Sequence, residues 1–388
     1  MDVSLCYESV LPARGGAETY IGDLARRLAR DGHAVHLYAS RWDADALPAA
    51  THFHRVEAGG PRFLRPWRFA AACARALSAA HHDVSIGFDK TWGQDVLYPQ
   101  GGLHAASAEH NLLKYPDHVS RGLAALGKWL DPAAWSFARL ERRQYLGPDR
   151  PLVVVNSLMV RGHFERYYGI PPEAVRVVRS AIDPLRFAAD DRLKRRHQER
   201  ARWMVFPDET IGLFVAMNYR LKGLAPLLNA LALVPRDRPF KLVVVGHPKF
   251  HRYQRQAERL GVADRVRFLG HRADPRDCYF AADFLVHPTF YDPCSLVALE
   301  ALACGLPVVT SRYNGAAELL SPPSDGIVID DPHDAPALAA AMGRFTDRTY
   351  RAEAVGAARQ TGTKWTFEQH YQGLLDVFGE VRRSKRAA

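Results

Sequence analysis

Hydrophobic positions along the chain follow two periods in turn. VSLCYESV, near the start, is apolar enough for a buried strand, and the loop LPARGGAET follows it. YIGDLARRLARDG then places Ile21, Leu24, Ala25 and Leu28 at helical spacing, and HAVHLYAS reads as the next strand. Strand, loop, helix and strand in that order make a βαβ unit, the element of a doubly wound parallel sheet. DVSIGF at 83–88 and PLVVVNS at 151–157 extend the series, and the aromatic and basic stretch 105–146 between them reads as helical. After IDPLRF at 182–187 the pattern restarts. IGLFVAMN, KLVVVGHP, RVRFLG, DFLVHPTF and LPVVTS are strands, with helices over 223–234, FHRYQRQAERLGV and the short DPRDCYFAA between them. Helices at 334–346 and 366–380 end the pattern. The expected fold class is α/β, with two Rossmann-like domains at 1–182 and 183–365, followed by a helix and basic tail at 366–388.

Composition narrows this picture. At 388 residues, 47% hydrophobic and 24% charged, the chain has ample core for two domains. The scattered cysteines Cys6, Cys73, Cys278, Cys294 and Cys304 form no CxxC pair, which suits a reducing compartment rather than a disulfide framework or a zinc site. MDVSLCYESV lacks a basic, apolar leader, and no window is apolar for long enough to span a bilayer, so a cytoplasmic protein is expected. The net charge of +10 is concentrated: RLKRRHQERAR at 192–202 carries +5 and the terminal VRRSKRAA +4. A solvated basic helix with a disordered tail accounts for this as well as attraction to an anionic membrane or acidic acceptor does. Nucleic acid is not expected, since no RNP-like, zinc-finger or recognition-helix pattern is present.

Two places carry candidate chemistry. Gly15 and Gly16 end a loop that feeds a helix, where backbone amides and the helix dipole suit a phosphate, although a tight βα turn needs glycine as often. YDPCSLVALEALACGLPVV sets Asp292 eight positions before Glu300. With Pro293 starting a helix, the amides of Cys294, Ser295 and Leu296 would be open to an anion. Glu300 has Leu296 and Cys304 as its i−4 and i+4 neighbours, so no ion pair along the helix neutralises it. A ribose diol would supply the donors such a carboxylate needs, while exposure to water is the plainer alternative, as an N-cap is for Asp292.

The same stretch resembles the acid–seven residues–acid motif of retaining GT-B glycosyltransferases of the glycogen-synthase-like superfamily, glycosyltransferase family 4. LEALACGLPVVTS, NGAAELL with Glu318, GGAE, IDPLRF, RLKG and VVVGHP all fall in the family's order. RWDADAL and DVSIGFDKTWGQDVLY look most like the lipopolysaccharide core glucosyltransferases. The resemblance implies two domains facing a cleft and a C-terminal helix that crosses back to the N-terminal domain. It implies that Glu300 binds the donor ribose and that Asp292, where the family usually has Glu, holds a donor-sugar hydroxyl. Arg220 and Lys222 would face the diphosphate, Gly15 and Gly16 would close over it, and the backbone at His271 and Arg272 would hold the base. The implied reaction transfers a hexose, foremost glucose from UDP-glucose, with retention and without a metal cofactor, to a glycan or glycolipid acceptor. Transfer from UDP-GlcNAc, UDP-Gal or GDP-mannose, sugar-nucleotide epimerisation and a decayed binding module are the alternatives.

His104, beside Gly101 and Gly102, lies where some relatives approach the transferring sugar, and either a site role or ordinary packing fits it. Gly93, Gln94 and Asp95 are weaker acceptor candidates. The DAD at 43–45 reads as a loop, not a metal motif. The Trp, Phe and basic residues interleaved in 61–77 and 125–143 suit either peripheral contact with an anionic membrane or a buried amphipathic helix.

Overall fold

The computed structural model describes residues 1–11, 15–147 and 150–387. Part of the expected loop LPARGGAET, residues 12–14, lies outside the described residues. The chain divides into two units, Met1–Arg179 with His370–Ala388, and Ser180–Gln369.

The first unit contains β1 (Asp2–Cys6), β2 (Ser9–Val10), β3 (Ala34–Ala39), β4 (Arg41–Trp42), β5 (His52–Arg55), β6 (Val84–Phe88), β7 (Val96–Tyr98), β8 (Leu152–Val155) and β9 (Val175–Val177). Its helices are α1 (Gly16–Arg30), α2 (Arg65–Ser78), α3 (His104–Leu113), α4 (His118–Trp129), α5 (Pro132–Leu146) and α6 (Leu158–Tyr168). Seven parallel strands run in the order β5-β3-β1-β6-β7-β8-β9, while β2 and β4 pair separately. Every residue of β6 and β7 is buried, as expected where helices cover both faces of a parallel sheet.

The second unit runs α7 (Arg192–Arg202), β10 (Thr210–Ala216), α8 (Leu224–Leu231), β11 (Phe240–Gly246), α9 (His251–Arg259), β12 (Val266–Gly270), α10 (Arg276–Ala281), β13 (Phe284–His287), α11 (Leu296–Ala303), β14 (Val308–Ser311), β15 (Gly326–Ile329), α12 (Ala335–Arg344) and α13 (Arg348–Lys364). Its six parallel strands are ordered β12-β11-β10-β13-β14-β15. The last helix, α14 (Phe367–Ala387), supplies the segment from His370 onward to the first unit. Two doubly wound parallel sheets are therefore what the alternating periods encode.

Several expectations need correction. VSLCYESV splits into β1 and β2. The basic tail is helical as far as Ala387 rather than disordered, and Lys385 and Arg382 pair with Asp95 and Asp83. The segment 192–202 is the helix α7, but Arg196 and Arg200 turn inward onto Asp283 rather than into solvent. The helix after Asp292 begins at Leu296, not Pro293. The helix α13 had no counterpart in the periodic reading.

Candidate active site

In each sheet, consecutive strands run outward in opposite directions from one central pair, β1/β6 in the first unit and β10/β13 in the second. The loops that leave the carboxyl ends of such a pair diverge and open a crevice, the usual place for ligands in doubly wound sheets. In the second unit these loops are 217–223 and 288–295, and they lie against each other. The Phe290 amide donates to the Leu221 carbonyl at 2.9 Å. Gly223 makes the approach possible: its φ is +83°, and a Cβ there would sit 2.1 Å from the Pro288 oxygen.

Across this junction Lys222 Nζ donates to Asp292 Oδ2 at 2.6 Å and to the Tyr291 carbonyl at 3.0 Å. His287, the last residue of β13 and 1% exposed, places Nε2 3.4 Å from the same carboxylate oxygen. Burial opposes charge on Asp292, but the Lys222 ammonium and His287 outweigh it and hold the carboxyl well below its usual range. Burial, with Lys222 nearby, holds His287 below its ordinary value, so the imidazole is neutral at pH 7. Asp292 is thus an ion-pair partner fixed by a bridge to Asn314, rather than a helix N-cap.

The Asn314 side-chain oxygen accepts from the amides of Ser295, at 3.1 Å, and Ala316. The Ser295 amide is therefore not open to an anion, and Cys294 is buried one residue before the N-cap. The amides of Leu296 and Val297, first in α11, have no intrahelical acceptor and point out of the helix start. One turn further on, Glu300 is half-buried and its Oε2 accepts from the Tyr279 hydroxyl at 2.5 Å. Burial pushes this carboxyl up to about 7, against Tyr279 and the Arg186 guanidinium, which both favour its charged form. Glu300 neither faces bulk water nor pairs with a base along its helix.

The remaining expected residues are dispersed. Arg220 is exposed in the same loop as Lys222, and His271 and Arg272 are exposed just after β12. In the first unit Gly15 is the N-cap of α1 and Gly16 its first residue. His104 opens α3, packs edge-on to Phe137 at 5.6 Å and lines a cavity with Gly101 and Gly102. Burial and the nearby Lys90 and Lys128 ammoniums keep it below its ordinary value. Gln94 and Asp95 are held by protein partners. Gln94 is 5% exposed with its amide on Cys73, and Asp95 accepts from the Ser85 amide and hydroxyl and from Lys385. Tyr279, His287 and Asn314 were missed, because nothing in local spacing ties them to residues 292 and 300.

Comparison with known proteins gives the family and the fold. Residues 195–361 match the family described as glycosyl transferases group 1, and residues 14–186 match glycosyltransferase family 4. The lipopolysaccharide glucosyltransferase WaaG of Escherichia coli is 26% identical over 86% of each chain. A crystal structure of WaaG superposes with a TM-score of 0.79 over 97% of this chain and 99% of that one, at 23% identity. A D-inositol 3-phosphate glycosyltransferase of Catenulispora acidiphila is 30% identical over 96% of this chain and 92% of its own. The structure of HepE from Anabaena in complex with UDP-glucose superposes with a TM-score of 0.69 at 18% identity, covering 98% and 100% of the two chains. The chain belongs to the group 1 and family 4 glycosyltransferases and has their two-domain GT-B fold.

Proposed function

We propose that the protein is a retaining hexosyltransferase that takes glucose from UDP-glucose and delivers it to a glycan or glycolipid acceptor of the lipopolysaccharide-core type. The observation that carries this reading is Glu300, a half-buried carboxylate at the strand-end crevice that accepts from the Tyr279 hydroxyl. A ribose diol supplies the two further O–H donors that would offset its burial. Asp292, already ionised, would accept from a donor-sugar hydroxyl. Lys222 spends two of its three N–H donors on Asp292 and Tyr291, which leaves one for a phosphate oxygen. With Arg220 and the Leu296 and Val297 amides it would stabilise charge developing on the departing diphosphate, so the reading needs no metal. The acceptor hydroxyl would attack the face that the diphosphate leaves and lose its proton to a donor phosphate oxygen.

The donor and acceptor follow from likeness. HepE was crystallised with UDP-glucose, and WaaG is named as a lipopolysaccharide glucosyltransferase. The inositol-phosphate relative makes a phosphorylated polyol the second acceptor class to test. No helix among the described residues is long and apolar enough to cross a membrane. The helix α4, however, exposes Val119, Leu123, Leu126 and Leu130 at 53–73%, along one stripe with Trp129 beside it and Arg121 and Lys128 on the same helix. That stripe supports peripheral attachment to the anionic cytoplasmic face of a membrane.

Titration calorimetry with UDP and GDP at pH 6 and pH 8 tests the donor site. A carboxyl raised to about 7 is mostly protonated at pH 6 and cannot accept from both ribose hydroxyls, so UDP affinity should increase with pH. The same ionisation costs folding stability as pH rises from the ordinary 4.5 through about 7, so binding and folding make opposite demands on Glu300. Glu300→Gln should weaken UDP about tenfold or more and remove its share of the pH dependence. Equal UDP affinity in the two proteins would sink the reading.

A further inference from the structure

The first unit has its own strand-end crevice at β1/β6, and the residue that leaves β6 there is unusual. Asp89 adopts φ +53°, a left-handed conformation that costs a non-glycine residue energy and needs support from its surroundings. The support is visible. Gln144, 4% exposed on α5, donates its amide to the carbonyls of both Asp89 and Thr91, the latter at 2.7 Å. Gln144 thus fixes the backbone on either side of Lys90.

This conformation places two charged side chains on the walls of cavities. Asp89 and Lys90 both line two adjoining cavities, one of about 190 Å³ that also contains His104 and Phe137, and one of about 320 Å³ beside Glu8 and Arg65. The Asp89 carboxylate accepts from the Gly101 amide at 3.1 Å, from the Gln100 amide and from the Tyr7 hydroxyl, with the Lys90 ammonium beside it. Burial raises its pKa, so hydrogen-bond donors, not bulk water, must stabilise its charge. The Lys90 ammonium sits 3.5 Å from the centroid of the Phe137 ring. In the larger cavity three acids, Glu8, Glu18 and Asp89, face three bases, Arg41, Arg65 and Lys90. Such a balanced lining offers no net attraction for a phosphate. It suits a neutral, hydroxyl-rich ring, which both accepts and donates hydrogen bonds.

We propose that Asp89 and Lys90 form the subsite for a neutral sugar ring of the acceptor, with the Asp89 carboxylate accepting from a ring hydroxyl and the Lys90 ammonium donating to a second ring oxygen. The proposal rests on the glycosyltransferase reading but uses residues of the first unit alone. Its structural rival is that Asp89 merely pins the Gln100–Gly101 turn and the Tyr7 hydroxyl. Asp89→Asn separates the two. Asparagine is well tolerated at positive φ, and its carbonyl oxygen keeps the Gly101 contact, while the second acceptor oxygen becomes an N–H donor.

The test is saturation-transfer NMR with methyl α-D-glucopyranoside and methyl α-D-mannopyranoside, in the presence of saturating UDP. The expected result is a ring-proton signal in the wild type, weakened at least tenfold in Asp89→Asn, whose melting temperature stays within a degree or two of wild type. A signal undiminished in Asp89→Asn, or none in the wild type for either glycoside, overturns the proposal. Failure of the donor reading shows separately, as unchanged UDP binding in Glu300→Gln.

Discussion

The two ends of β13 each carry a buried acid paired with a base from another element, and the pairs differ in purpose. Before the strand, Asp283 accepts from Arg196 at 2.6 Å, from Arg200 at 3.3 Å and from the Ile211 amide at 2.7 Å. Arg196 also donates to the carbonyls of Phe280, Ala281 and Ala282, the negative end of α10. Arg200 and Asp283 are each 8% exposed, and Arg351 lies 4.0 Å from the same carboxylate. Beyond the strand, the Asp292 carboxylate meets Lys222 and a neutral His287, and Lys222 divides its donors between Asp292 and the Tyr291 carbonyl. The first pair is saturated and holds the sheet together. The second has fewer partners and lies at the carboxyl ends of the strands, where the proposed donor site would be.

This difference also reinterprets the chain's positive charge. The segments 192–202 and 381–388 look like the footprint of an anionic partner when they are read as a sum. In the fold each grips acids that precede core strands: α7 grips Asp283, while the end of α14 grips Asp83 before β6 and Asp95 before β7. Arg196, Arg200, Arg382 and Lys385 are the bases so paired, while Lys194, Arg383 and Arg386 stay exposed.

The largest effect should come from Asp283→Asn. The variant strands two guanidiniums against helix carbonyls with no counter-charge, a loss of roughly 3–5 kcal/mol. In calorimetry this is a fall in the unfolding midpoint on the order of 10 °C. A fall of only a degree or two would mean that the carbonyls alone hold α7.

Next comes Lys222→Met at the other end of the strand. Turnover should fall roughly 100- to 1000-fold, the usual cost of removing one preorganised donor from a developing charge. The protein should also lose stability, because Asp292 remains ionised and buried without its ammonium. Adding Asp292→Asn should recover stability but not turnover. Recovery of both would make the pair structural, like the one at Asp283.

The same contrast explains how far the sequence could be read. Strands and helices were legible because burial on a parallel sheet writes itself as period, and the order of βαβ units fixed the architecture. The acid pair was legible because Asp292 and Glu300 lie on one continuous stretch. Their partners were not: Tyr279 reaches Glu300 from the preceding helix, and Lys222 reaches Asp292 from 70 residues away. The start of α11 was misplaced because Pro293 is a good first helical residue, yet the Asn314 side chain takes the Ser295 amide and delays the first turn. Asp89 gave no signal, since a left-handed aspartate is imposed by Gln144 rather than by its neighbours in the chain.

The smallest effect belongs to Lys385→Met. Lys385 lies 2.8 Å from Asp95 but is 44% exposed, and its partner also accepts from the Ser85 amide and hydroxyl. Removing it leaves Asp95 hydrogen-bonded and partly hydrated, so the cost should be about 0.2–1 kcal/mol and should fade at molar salt. If charge in this helix serves the fold rather than a membrane, the same variant should sediment with anionic vesicles as well as the wild type does. Leu123→Glu, in the exposed stripe of α4, should lower sedimentation without lowering the unfolding midpoint, because that side chain is 66% exposed. Loss of vesicle binding in Lys385→Met, with Leu123→Glu unaffected, would move the membrane contact from α4 to α14 and restore the partner-footprint reading of the basic tail.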